Sequence, residues 1–325
     1  MTPLVLAPLS LVYGSVIRAR NARFDRTPPQ HLGWPVISIG NLSVGGAGKT
    51  PLVICLAELL RREGLHPDVL SRGYGRSSHT VERVDSAGPA ERFGDEPLLI
   101  AQATGVPVYV GANRYEAGQL AERELHPPGI HLLDDGFQHR QLARSLDIVL
   151  MHRSDLKQRL LPRGRLREPL ASLARADVIV LRQEDAELES ALDSNVNSEC
   201  HFWRVRRTLA VRIPVERAVA FCAIARPREF FDGLIAAGAG LAEQISFRDH
   251  HRYRVDDIER LAKLGRRADC DAFVITAKDE VKLDSAMRAR LTAVAPISTA
   301  ALTVELEDER AALDLMRKSL IVTAR

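Results

Sequence analysis

Ser43, Val44, Gly45, Gly46, Ala47, Gly48, Lys49 and Thr50 form a glycine-rich loop ending in Gly-Lys-Thr. The loop stands between a short β-branched run, Val36 to Gly40, and an apolar-periodic stretch from Pro51 to Arg62. Between a strand and a helix, glycines let backbone N–H groups turn inward around phosphate oxygens, and the helix start adds partial positive charge. In such a loop Lys49 reaches the β- and γ-phosphates of a nucleoside triphosphate, and Thr50 ligates Mg²⁺. The strict pattern has glycine where Ser43 stands; Gly45 and Gly46 supply compensating flexibility. A dinucleotide fold has no use for the Lys-Thr pair and needs a G-x-G-x-x-G that this loop lacks. The chemistry implied is binding of a nucleoside triphosphate with Mg²⁺.

A phosphate loop needs a second element, an acid at the end of a buried strand. Ile130-His131-Leu132-Leu133-Asp134-Asp135 supplies it, with Asp134 or Asp135 placed to hold Mg²⁺ or its water. His131, inside the strand, reads as structural. Gly94-Asp95-Glu96-Pro97 precedes an apolar stretch, so Asp95 is either a helix cap or the carboxylate that takes a hydroxyl proton in phosphoryl transfer. Ser71-Arg72-Gly73-Tyr74-Gly75 follows a strand, at the edge where parallel sheets bind ligands. Arg153 to Arg167 is a basic stretch suited to phosphates or to a solvated face. Asp249-His250-His251 follows another strand; adjacent histidines usually diverge, which argues against a metal pair.

These residues need a scaffold, and the patterning describes one. Short apolar strands are expected at Pro67 to Ser71, Val106 to Val110, Leu146 to Met151 and Asp177 to Leu181, alternating with helical stretches. That rhythm means βαβ units. It restarts beyond about residue 210, with strands at Ala218 to Ala225, Ala242 to Phe247 and Ala272 to Thr276. The fold expected is α/β, a P-loop NTPase-type mostly parallel sheet flanked by helices, with a second, smaller α/β domain. The division expected is 1–25 for an N-terminal helix, 26–205 for the nucleotide-binding core and 210–300 for the second domain. Residues 301–325 form a closing strand and helix that could return to the core.

With 46% hydrophobic and 27% charged residues, the 325-residue chain is neither disordered nor low-complexity. A net charge of +3 is too balanced for bulk nucleic-acid binding. The four cysteines form no C-x-x-C pair and read as free thiols of a reducing compartment. Residues 1–17 are uncharged and apolar, and Arg18, Arg20 and Arg23 follow. The order of apolar and basic residues is opposite to that of a signal peptide. Either this helix packs on the protein's own core or it lies in a membrane interface with its arginines on anionic headgroups.

Six segments together resemble one family: the 41–51 loop, Ser71-Arg72-Gly73-Tyr74-Gly75, Gly94-Asp95-Glu96-Pro97, Leu133-Asp134-Asp135-Gly136-Phe137-Gln138-His139, Leu166-Arg167-Glu168-Pro169 and Asp249-His250-His251. The family is the tetraacyldisaccharide 4'-kinases of Gram-negative bacteria. Thr276-Ala277-Lys278-Asp279 is similar to its T-E-K-D segment, with Ala277 in place of Glu, and Ser43 fits its loop. The resemblance implies transfer of the ATP γ-phosphate to the 4'-hydroxyl of a tetraacylated glucosamine disaccharide 1-phosphate, giving lipid IVA. It implies Asp95 as catalytic base or proton-orienting acid, partnered by His250 (or His251) from the second domain. Lys49 and Arg167 would stabilise the transferring phosphoryl, Thr50 with Asp134 or Asp135 would hold Mg²⁺, and Gln138 and His139 would line the site. It implies a membrane-surface role for the N-terminal helix, at the cytoplasmic face of the inner membrane, and no obligate protein partner. The rival class is a P-loop switch or chaperone-type NTPase. A guanine-specific switch needs N/T-K-x-D, whereas Lys278 and Asp279 are adjacent, and a metal chaperone would want a Cys/His cluster.

Overall fold

The computed structural model describes residues 3–46, 48–211 and 215–323. Its strands are β1 (Val36–Asn41), β2 (Pro67–Ser71), β3 (Glu82–Arg83), β4 (Val108–Val110), β5 (Ile130–Asp134), β6 (Leu146–Leu150), β7 (Val178–Arg182), β8 (His201–Ala210), β9 (Ala218–Cys222), β10 (Leu241–Ser246), β11 (Ala272–Thr276) and β12 (Ile297–Leu306). The α-helices are α1 (Pro3–Arg26), α2 (Lys49–Arg62), α3 (Ala90–Phe93), α4 (Asp95–Thr104), α5 (Arg114–Glu124), α6 (Leu188–Leu192), α7 (Pro227–Ala236), α8 (Val255–Ala268), α9 (Ala277–Glu280), α10 (Ser285–Thr292) and α11 (Glu309–Thr323).

Among the described residues the strands join one twelve-stranded sheet in the order β10-β9-β11-β12-β8-β7-β6-β1-β5-β2-β4-β3. It is an α/β fold with a large, mostly parallel, mixed sheet: β8–β12 and β3–β4 are antiparallel, the other pairs parallel. Central strands β1, β2, β5 and β6 are buried along their whole length, which is why they read as largely apolar runs rather than alternating ones.

The register at the β8–β12 join sets the position of everything that matters for chemistry. The first half of β8 pairs with β7 (His201 opposite Val178, Val205 opposite Arg182). Its second half runs past the carboxyl edge of that block and pairs with Ala301–Leu306 of β12. The first half of β12 pairs with β11 instead. Since β12 runs opposite to β8, the strands of the β9–β11 block point back toward the β1–β7 block. The carboxyl-terminal edges of the two parallel blocks therefore face each other, and these are the edges where parallel sheets bind ligands. Of the two long strands, β8 does not announce itself in the sequence rhythm, which breaks over 200–212; β12 begins a few residues before the closing strand expected within 301–325.

Helix α2 buries Leu52, Val53, Leu56, Ala57, Leu59 and Leu60 against the sheet. Ala312, Leu313 and Met316 of α11 join the same apolar cluster, and Arg62–Glu309 and Glu63–Arg317 ion pairs, each 3.0 Å, flank the contact. The last helix thus packs beside the helix that follows the phosphate loop.

Helix α1 packs on the protein with one face and leaves apolar residues exposed on another. One face packs on residues 160–168: Ser10 Oγ donates to the Leu160 carbonyl (2.9 Å), Tyr13 OH to the Arg167 carbonyl (3.0 Å) and Asn21 Nδ2 to the buried Glu168 carboxylate (2.8 Å). The other leaves Leu9, Leu11, Val12 and Val16 in solvent, Leu11 at 73% exposure. No helix among the described residues is long and apolar enough to cross a membrane.

His131, read as structural from the sequence, sits opposite Asp68 across β5 and β2, hydrogen-bonds it at 2.9 Å and stacks on Trp34. Burial alone would depress its pKa, but the Asp68 and Glu122 carboxylates raise it to about 9, against 6.5 for a free imidazole. A folded-state pKa above the unfolded one contributes stability that is complete below about pH 6.5 and lost as pH rises through about 9. The urea midpoint should therefore fall between pH 7 and 10 more steeply in the wild type than in His131→Gln. Parallel profiles would contradict a charged His131.

Candidate active site

The phosphate loop is clasped rather than free. Ser43 is buried and bridges Leu166 in an antiparallel contact; Val44 N–H donates to the Arg165 carbonyl (2.8 Å) and Arg167 N–H to the Leu42 carbonyl (2.7 Å). Gly45, Gly46 and Gly48 all have positive φ, a conformation that a side chain would strain. Ala47 lies outside the described residues. Thr50 is the second residue of α2, half-buried at the mouth of the loop.

Lys49 and Asp135 meet at the centre of the site. Lys49 Nζ donates to Asn41 Oδ1 (3.0 Å) and lies 3.3 Å from Asp135. Arg167 Nη1 reaches both Asp135 oxygens (2.9 and 2.8 Å) and Gln138 Oε1 (3.1 Å), while Gln138 Nε2 donates to the Asn41 carbonyl (3.1 Å). Burial works against ionisation of Asp135, yet Lys49 and Arg167 outweigh it and hold its pKa down at about 2. Asp134 differs. It is fully buried, accepts one hydrogen bond from Ser71 Oγ (2.9 Å), and leaves Oδ1 without a partner. Burial first, then the nearby Glu96 and Asp135 charges, push its pKa up to about 7.

The turn that presents these acids depends on Gly40 of β1. A Cβ there would stand 2.5 Å from Phe137 Cβ and 2.7 Å from its backbone nitrogen. Asp135 itself adopts φ 52°, which a non-glycine residue occupies only at a cost. His139 lies just beyond, its Nε2 buried without a hydrogen-bond partner. Burial, with Arg114, Arg144 and Arg72 adding to it, lowers its pKa to about 3, so it is a neutral imidazole among guanidiniums.

Asp95 and His250 come together across the cleft. Asp95 opens α4 in the β1–β7 block, and His250 follows β10 in the other. His250 Nδ1 lies 3.2 Å from Asp95 Oδ2. Like Asp135, His250 has positive φ (58°), and its ring packs against Tyr74. His251 turns away to Asp257 (2.8 Å), so His250 is the residue that reaches Asp95. Asp95 makes no side-chain cap on α4.

Three further groups, to which the sequence reading gave no role, complete the cluster. Lys278 Nζ bonds Glu96 (2.9 Å) and His250 Nε2 (3.3 Å); Lys282 Nζ stands 3.7 Å from Asp95. An ammonium only donates, so Nε2 accepts and Nδ1 carries the proton toward Asp95. Burial opposes ionisation of Asp95, but the hydrogen bond from His250 and the charges of Lys282 and Lys278 prevail, keeping it below the ordinary carboxylate range. Asp279, wholly buried, anchors this side by accepting from Ala223 N–H, Tyr253 OH and Thr276 Oγ1. Glu96 was signalled only by its place beside Asp95, and Lys278 only by the Thr276–Asp279 segment.

The arrangement joins a phosphate loop, a strand-end acid pair and a carboxylate–imidazole pair able to take a proton. Its comparison with known proteins is direct. The family model for LpxK, tetraacyldisaccharide-1-P 4'-kinase, matches residues 2–320. The chain belongs to this family. It is 44% identical to the tetraacyldisaccharide 4'-kinase of Koribacter versatilis (strain Ellin345), over 94% of this chain and 96% of that one. It is 38% identical to the tetraacyldisaccharide 4'-kinase of Azoarcus sp. (strain BH72), over 86% and 83%. Its fold is similar to a crystal structure of the "apo" form of LpxK from Aquifex aeolicus in complex with ATP, with TM-score 0.78 and 31% identity, covering 98% of this chain and all of that one.

Gly40→Ala tests whether the close approach of β1 to the Phe137 turn sets the 4'-kinase site. The substitution should cost about 1–3 kcal/mol in urea unfolding and reduce turnover more than a surface glycine change does. Wild-type stability and turnover would mean that the turn moves freely.

Proposed function

We propose that this chain transfers the γ-phosphate of ATP to the 4'-hydroxyl of tetraacyldisaccharide 1-phosphate, forming lipid IVA in lipid A biosynthesis. The observation that carries the mechanism is the Asp95–His250 pair, set beside Lys49 and the Asp134–Asp135 turn in a chain of this family. The β1–β7 strands act as a P-loop NTPase-type core (26–205), and 210–300 act as a second, smaller domain that closes on it.

ATP lies with its phosphates on residues 43–50. Lys49 and Arg167, already drawn to Asp135, stabilise charge on the transferring phosphoryl group. The unpartnered Asp134 oxygen suits a cation, and Thr50 with Asp134, Asp135 beside them, would hold Mg²⁺. Bound there, Mg²⁺ would supply positive charge against the β- and γ-phosphates, for which one or two protein carboxylates are enough. Gln138 fixes Arg167 and the end of β1, and the neutral His139 lines the same site.

The sugar hydroxyl loses its proton to the Asp95–His250 pair. Asp95 stays ionised and holds the imidazole Nδ1–H, as the acid of a carboxylate–imidazole pair does. Lys278, which occupies Nε2 in this structure, must yield that lone pair as the hydroxyl arrives. The exposed Leu9, Leu11, Val12 and Val16 face of α1, with Arg18, Arg23 and Arg26 following, lies in the cytoplasmic face of the inner membrane and brings the enzyme to a substrate whose acyl chains stay there.

The experiment is transfer of labelled phosphate from Mg·ATP in detergent micelles, with and without the disaccharide 1-phosphate lipid. Label in a bis-phosphorylated lipid is the expected result; ATP consumed equally without acceptor would point to the switch-type NTPase instead. Asp95→Ala should keep ATP affinity and lose about 10²–10⁴-fold in kcat; a variant that unfolds or transfers normally makes Asp95 a structural residue. Replacing Leu11, Val12 and Val16 by Ser should lower binding to anionic liposomes without changing the melting temperature. Unchanged partitioning would return α1 to a purely structural role.

A further inference from the structure

Lys282, in the turn after α9, is almost sealed from solvent, its side chain 4% exposed. Its ammonium has three N–H groups. One goes to Asp279 Oδ1 (2.9 Å) and one to the Ala223 carbonyl (3.4 Å), with the centre of the Tyr253 ring 5.8 Å away. That leaves one for Asp95 Oδ2, at 3.7 Å. The same oxygen has His250 Nδ1 at 3.2 Å.

The lysine reaches the other half of the pair through the backbone. The Ala223 carbonyl also accepts from the His250 N–H (3.3 Å), at the residue held at φ 58°. Ala223 N–H is in turn fixed by both oxygens of the buried Asp279, at 3.1 Å each. Asp279 does not need an ammonium to be satisfied, because Ala223 N–H, Tyr253 OH and Thr276 Oγ1 already donate to it. A buried ion pair adds little stability over an apolar pair of the same size. What the charge of Lys282 adds is its reach to Asp95. Burial raises the Asp95 pKa; the hydrogen bond from His250 and then the Lys282 charge, ahead of Lys278, bring it down.

We propose that Lys282 is a positioning residue for phosphoryl transfer: it pins the Asp95 carboxylate and the His250 backbone to one point, so that the imidazole is aimed before the acceptor hydroxyl arrives. This rests on the Asp95–His250 reading above. Lys278 cannot serve in that way, because it bonds Nε2, the ring nitrogen that the hydroxyl must reach. Asp95 makes no side-chain cap on α4, so the orientation of its carboxylate comes from His250 and Lys282. The action of Lys282 on the reaction runs through these two residues.

The test is Lys282→Met, which keeps the stem and removes the charge, made in the wild type and in Asp95→Asn, with melting temperature measured alongside. In the wild type kcat should fall about 10- to 100-fold, while the KM values for ATP and for the lipid acceptor stay within about twofold. In Asp95→Asn the same substitution should change kcat by less than about twofold, because the carboxylate it positions is already gone. Wild-type kcat in a folded Lys282→Met, or an equal loss in both backgrounds, would overturn the proposal. Should Lys282→Met not fold because the buried Asp279 loses its counter-charge, Lys282→Met combined with Asp279→Asn, compared with Asp279→Asn alone in the same two backgrounds, reads the same quantity. Normal transfer by Asp95→Asn itself would instead overturn the pair reading beneath the proposal.

Discussion

The contact between Asp95 and His250 is the constraint on which the rest depends, because its two halves belong to opposite ends of one sheet. It exists because β8 and β12 are each ten residues long and serve two neighbours in turn. Their antiparallel join reverses the second block, so that carboxyl edge faces carboxyl edge. A parallel continuation would have placed the loop after β10 beyond reach of α4. Strand length and strand direction, properties with no chemistry of their own, thereby decide where an imidazole stands.

The charges around the cleft follow one logic. Asp135 is ionised by Lys49 and Arg167, Asp95 by His250 and two lysines, and Asp134, with one oxygen open, is pushed the other way. Anionic and cationic groups neutralise one another before any ligand arrives, and each pairing supplies a group that a phosphate, a cation or a hydroxyl can claim. Backbone strain is found in the same places: of the three non-glycine residues with positive φ among those described, Asp135 and His250 are two. Packing elsewhere holds them there, through the Gly40–Phe137 approach on one side and the buried Asp279 on the other.

Much of this was legible in the sequence where local rules suffice. β2, β11 and the helix after the phosphate loop stand within a residue or two of where periodicity placed them, since buried parallel strands and amphipathic helices declare themselves in short windows. That Lys49 and the Asp134–Asp135 pair share one phosphate site followed from the loop and the strand-end acid, whereas the Asp95–His250 meeting was legible only through motif resemblance, because contacts between residues so far apart leave no local trace. β8 escaped notice: its inner and outer residues alternate, with Arg204, Arg206 and Arg207 masking the few apolar positions. An arginine on a strand looks like a solvated face until the fold shows what stands over it.

The claim that one proton-accepting unit is assembled from two lobes is tested most directly by a double-mutant cycle on kcat with Asp95→Asn and His250→Asn. If the two side chains act as a unit, the double variant should be about as slow as the slower single variant, because removing one already disables the other. Losses that multiply, with no coupling between the positions, would mean that each acts alone and that their contact across the cleft is not what carries the reaction.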